Sequence, residues 1–135
     1  MTETRALPDL RAPAVGGGVR RWLRLEGVAA LAAAVAVYAT TGLGWGFFAL
    51  AFLAPDLAIA AYLAGPRVGA AVYNAAHSYV GPLALAAAAH AGGWAGLLPA
   101  ACLWAAHVGF DRMLGYGLKY ATAFGDTHLG RLGRA

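Results

Sequence analysis

PDLAIAAYLAGPRVGAAVYNAAH, residues 55–77, holds two apolar runs that meet at Gly65-Pro66-Arg67. Gly-Pro is a turn signal. Asp56 lies eleven residues before Arg67, and His77 lies ten residues after it. The stretch reads as two helices folded back on each other, each with a polar group at a matched distance from the turn. The run on the N-terminal side spans Trp45 to about Ala64, and the run on the C-terminal side spans Val68 to about Ala89. A further run flanks each of these, Leu25 to about Thr41 and Trp94 to about Leu118. Runs of about 17–25 residues cross about 30 Å of hydrocarbon at about 1.5 Å per residue. They are too long and too rich in Ala and Leu for barrel strands, which alternate polar and apolar residues.

Composition agrees. Of the 135 residues, 61% are hydrophobic and 12% charged, where a soluble domain carries about 25% charged residues. The expectation is an all-α protein, a transmembrane four-helix bundle of two helical hairpins, spans 1–2 and 3–4. Pro55, Pro82 and Pro99 fall inside the runs, where each removes a backbone bond and can kink its helix. The single cysteine, Cys102, sits in an apolar stretch and reads as a small buried residue.

The net charge is +4, yet the basic residues flank apolar runs instead of clustering with aromatics. That pattern excludes a nucleic-acid partner and fits membrane topology. Arg20, Arg21 and Arg24 precede the first run, Arg67 lies between the second and third, and Arg112, Lys119, Arg131 and Arg134 lie at or after the end of the fourth. The loops after the first and third runs carry no Lys or Arg. Both termini are therefore expected in the cytoplasm, with the chain multi-pass in the inner (cytoplasmic) membrane. Residues 1–20 lack a signal peptide's apolar core and read as a disordered cytosolic tail. Residues 21–120 form the four-span domain, and 121–135 a cytosolic C-terminal tail. Trp22, Trp45 and Trp94 fall at span ends, as interfacial tryptophans do. The expected partner is the lipid bilayer, and so few short spans are compatible with a homo-oligomer.

Charges inside spans are expensive and face the bundle interior. Asp56, His77 and His107, from three different spans, all fall roughly 15–18 Å from the cytoplasmic surface at about 1.5 Å per residue. Asn74 and Asp111 lie one turn closer to that surface on the faces of His77 and His107. Glu26 enters the first span from the same side, and Tyr73 lines the cytoplasmic half. Arg112 can pair with Asp111 or Glu26, or snorkel to headgroups. Asp126 and His128, in the loop FGDTHLG, can fold back over the inner mouth.

Such a layer suits several chemistries. Imidazoles and carboxylates bind Zn, Mn or Fe. His77, His107 and Asp111 would be metal ligands, with Asp56 as a further ligand or the catalytic base. The metal would activate water for hydrolysis of an ester, amide or phosphoester. Two histidines at equal depth also match bis-histidine haem b ligation. Asp and His can relay protons, and the same residues can serve as packing glue in a non-enzymatic protein. The sequence shows no phosphate loop, no Ser-centred nucleophile motif and no zinc-finger spacing.

RLEG (24–27), APDLAIAAYLAGPRVGAAVYNAAHSYVGP (54–82) and AAHVGFDRMLGYGLKYATAFGDTHLG (105–130) resemble the bacterial family known as domain of unknown function 4260. The resemblance covers nearly the whole chain after residue 20. It implies a small integral membrane protein with no assigned reaction. Its motifs include Asp56, Asn74, His77, His107, Asp111, Asp126 and His128.

Overall fold

The computed structural model describes residues 13–132. Most of the expected N-terminal tail and the last three residues lie outside the described residues. The chain is all-α, with four helical legs. α1 is Gly17–Ala39, so helix begins before the expected span and takes in the end of the expected tail. The second leg is α2 (Trp45–Ala51) continued by a 3-10 helix over Ala54–Ala64. The third is α3 (Pro66–Ala76) and α4 (Val80–Ala91), and the fourth is a short 3-10 turn leading into α5 (Leu98–Leu114). The tail adds a small antiparallel pair, β1 (Asp126–Thr127) with β2 (Gly130–Arg131).

Proline explains where the legs break. A proline ring clashes with the carbonyl four residues back and offers no N–H. Counting back from Pro55 gives Ala51, where α2 ends. Counting back from Pro82 gives Ser78, in the gap between α3 and α4. The carbonyls freed at that gap are not wasted. Arg112 donates to His77 O at 2.7 Å, and Trp104 Nε1 donates to Ala76 O. Pro99 sits in the first turn of α5, where a missing N–H costs nothing.

Of the four expected spans, Gly17–Ala39 and Trp45–Ala64 are long and apolar enough to cross a membrane. The third leg falls short because it is broken around His77, and α5 has only 17 residues and contains Asp111 and Arg112.

The packing also departs from the expected pairing. α1 lies chiefly against α5, and α3 against the 3-10 helix; α4 does pack on α5, as a 3–4 hairpin would. The first and fourth legs meet backbone to backbone at Gly27 and Gly109. A Cβ on Gly109 would stand 2.7 Å from Leu31 N and 2.9 Å from Gly27 O. Small residues permit this approach. Gly115, left-handed at φ 95°, then ends α5, with Tyr116 N–H bonded back to Asp111 O at 2.8 Å. This Schellman-type stop turns the tail back beneath the bundle.

Candidate metal centre

Both proline breaks adjoin a polar side chain. Asp56 follows Pro55 in the first turn of the 3-10 helix, its N–H bonded to Leu53 O at 3.0 Å. His77 caps the C-terminal end of α3, on the buried stripe with Gly69, Ala70 and Tyr73. α5 supplies His107 and Asp111 from one face. One ligand atom from each of these four residues lies within 4.8 Å of all the others. His77 Nε2 is 3.2 Å from His107 Nε2, 3.3 Å from Asp56 Oδ1 and 3.6 Å from Asp111 Oδ2. His107 Nε2 is 3.5 Å from Asp56 Oδ1 and 3.9 Å from Asp111 Oδ2. Both histidines are fully buried, and the Asp56 side chain is 38% exposed.

The groups around the four orient them. His77 Nδ1 is 3.0 Å from Tyr73 O. A carbonyl only accepts, so Nδ1 carries the proton and donates. The Nε2 lone pair of neutral His77 therefore faces the cluster, as in metal-binding histidines whose other N–H is held by a carbonyl. The Tyr73 ring stacks on His77 with centroids 3.7 Å apart, and its hydroxyl donates to Asp111 Oδ2 at 3.3 Å. Tyr73, expected only to line the cytoplasmic half, thus holds two members of the cluster. The Tyr-x-x-x-His spacing, one helical turn, was the available signal. His107 differs: its Nδ1 is buried with no hydrogen-bond partner among the described residues, and Phe52 closes its flank at 5.3 Å.

A cavity of about 530 Å³ opens on the cluster. Asp56, His107, Asp111 and Tyr73 line it together with Lys119, Phe124 and Leu132 of the tail. Asn74 holds the tail with two bonds to one residue, accepting from Lys119 N–H at 2.7 Å and donating to Lys119 O at 2.9 Å. Burial pushes the Lys119 ammonium below the usual lysine pKa, with Asp111 opposing the shift. Sequence reasoning used Lys119 only as a topology marker, because nothing local to it signals that the tail returns.

The remaining expected residues serve elsewhere. Arg112 pairs with neither Asp111 nor Glu26 and does not snorkel. It is buried and donates to the carbonyls of Tyr116 (2.6 Å) and His77. Glu26 is exposed on α1. Asp126 accepts from Thr122 at 2.7 Å and faces Arg131 at 3.5 Å. His128 accepts from Leu118 N–H at 2.9 Å through Nδ1. Asp126 and His128 therefore brace the returning tail and do not join the four. Bis-histidine haem is ruled out by space: the two Nε2 atoms face each other at 3.2 Å, and no porphyrin plate fits between them.

The fold and the site define a small all-helical protein with a buried His/Asp cluster that could hold a metal ion. The chain belongs to the family described as domain of unknown function (DUF4260), whose sequence model matches residues 20–132. No curated protein and no solved structure matches the chain.

Proposed function

We propose that this protein is a membrane-embedded, metal-dependent hydrolase whose site opens to the cytoplasm. The five spacings of 3.2–3.9 Å among His77, His107, Asp56 and Asp111 carry the reading. A tetrahedron of ligands about 2.0–2.2 Å from an ion has edges of about 3.3–3.6 Å. Without a cation, the His77 lone pair and two carboxylates converge with only the Tyr73 hydroxyl and at most one His107 proton to share. A divalent transition ion, Zn, Mn or Fe, resolves that crowding.

His77, His107 and Asp111 are the ligands in this reading. Asp111 is fixed by Tyr73, whereas Asp56 is the partly exposed member beside the cavity. Asp56 is then the fourth ligand, or the base that takes a proton from water entering there. When bound, the ion supplies Lewis acidity and a water that ionises near neutral pH. The membrane setting is supported by Trp45–Ala64, an apolar helix none of whose residues is buried by the rest of the chain. The charge asymmetry supports cytoplasmic termini.

Elemental analysis of the purified, detergent-solubilised protein tests the proposal. The expected result is about one transition metal per chain, lost in His107→Ala and Asp111→Ala. A wild-type protein that holds no metal after reconstitution with Zn, Mn or Fe would overturn it. The cluster would then be an ion-paired anchor between helices or a proton path.

A further inference from the structure

We infer that the cavity takes a phosphomonoester on an apolar chain, with Lys119 as the group that binds the phosphate; this rests on the metal-dependent reading above. Lys119 is 5% exposed and lines the same cavity as Asp56 and Asp111. Its Nζ donates to Phe124 O at 2.8 Å and lies over the rings of Phe124 and Tyr73, at 3.6 and 4.6 Å. Among the described residues it forms no ion pair. An ammonium has three donors, and among the described residues a single carbonyl is its only hydrogen-bond acceptor.

Charge balance gives this placement its meaning. Asp56 and Asp111 together cancel a divalent ion. Lys119, buried in the cavity wall, is then left without an anion among the described residues. Buried charge without a counter-charge is costly. A phosphate monoester carries about −1.5 to −2 near neutral pH and offers three strong acceptor oxygens, enough to supply both the counter-charge and the acceptors that Lys119 lacks. The rest of the cavity is apolar, with Leu53, Ile59, Phe110 and Leu132 in its walls. At about 530 Å³ it is within the usual range for small-molecule sites, about 300–1,000 Å³. In the hydrolysis, the phosphorus–oxygen bond to the alcohol breaks. The water oxygen bonds to phosphorus in its place, and one water proton ends on the departing alcohol. The products are the free alcohol and inorganic phosphate.

Isothermal titration calorimetry on the solubilised full chain tests this, with hexyl phosphate, hexanol and inorganic phosphate as probes. Each is titrated into zinc-loaded wild type, Lys119→Met and Lys119→Arg, with zinc per chain measured on the same samples. Hexyl phosphate should bind wild type about tenfold or more tighter than either other probe. Lys119→Met should lose about tenfold of that affinity, the scale of one charge-assisted hydrogen bond, and Lys119→Arg should keep most of it. Equal binding of hexanol, or no loss in a zinc-retaining Lys119→Met, overturns the inference and leaves the metal site standing. Inorganic phosphate binding as tightly as hexyl phosphate also overturns it, in favour of free phosphate. Wild type that retains no zinc overturns the metal reading and this inference with it. Should Lys119→Met fail to fold, the three probes on wild type still separate the outcomes.

Discussion

Trp45–Ala64 and α5 touch each other through Phe52 against Phe110 and His107, yet their surroundings are opposite. Trp45–Ala64 has one charged side chain, Asp56, and none of its residues is buried. Leu57 and Leu63 are 78% and 94% exposed. α5 buries ten of its residues, including His107, Asp111 and Arg112. In water the apolar helix would be covered and the charged one would face outward. The reversal is the distribution a bilayer favours, with lipid against the apolar leg and ionisable groups inside the bundle.

The strongest challenge to this contrast is a charge on the outer face of the apolar leg. Leu57→Arg should cost up to about 3 kcal/mol of membrane insertion, the range for a charge at the centre of a spanning helix. Carbonate extraction of membranes expressing the variant should show a lower inserted fraction than wild type. Unchanged insertion would mean that this face does not meet lipid, and the contrast with α5 would need another cause.

A methyl group on α5 is expected to cost less. Gly109→Ala places its Cβ against Leu31 N and Gly27 O, backbone atoms that cannot rotate away. Overpacking of this kind costs about 1–3 kcal/mol. Gly18→Ala, on the same helix as Gly27 but with open space around it, is the control and should be near neutral. Thermal unfolding of both variants in detergent reads the difference. Equal midpoints would show that the α1–α5 crossing is looser than the backbone contact implies.

The docking of the C-terminal tail depends on α3. Asn74→Ala removes both bonds to the Lys119 backbone. Each is worth about 1 kcal/mol net, so amide exchange over residues 116–132 should quicken by about tenfold or more. The helical legs should keep their protection. Exchange that rises across the whole chain would tie the tail to global stability instead.

The parts of this structure that could be read from the sequence share one cause. Hydrophobic run length gave the four legs, and equal spacing from Arg67 and Lys119 brought Asp56, His77 and His107 to one depth. The estimate used about 1.5 Å per residue, whereas the segment after Asp56 is a 3-10 helix that rises about 2.0 Å per residue. The cluster nevertheless forms, because Pro55 and Pro82 bend both legs where the side chains meet. Those bends were legible as kinks but not as the origin of acceptors for Arg112 and Trp104. Arg112 was read as a charge that pairs with Asp111 or Glu26 or snorkels, because its actual partners, the carbonyls of His77 and Tyr116, are backbone groups that no side-chain pattern reveals. The Gly27–Gly109 crossing joins residues far apart in the chain, and periodicity within either helix carries no trace of it. Asp126 and His128 were read as residues that can fold back over the inner mouth; in the structure Asp126 meets Thr122 and Arg131, and His128 meets Leu118 and Val15.

The smallest expected effect concerns the same tail. His128 Nδ1 accepts the Leu118 N–H, and the His128 backbone N–H returns a bond to Leu118 O at 3.1 Å. Burial pushes the imidazole pKa below its ordinary 6.5, and the nearby Arg112 charge lowers it further. The docked tail therefore binds a proton less readily than the undocked tail. Docking is at full strength above the ordinary value and weakens as pH falls through the lowered one. The chemistry agrees, since a protonated Nδ1 becomes a donor facing the Leu118 donor. Protease cleavage of the tail should rise between about pH 7.5 and about pH 5, the range in which histidine changes charge. His128→Asn offers an oxygen to the same N–H and does not titrate, so its cleavage should be nearly flat over that range. An equally steep rise in His128→Asn would show that a group other than His128 sets the pH response of the tail.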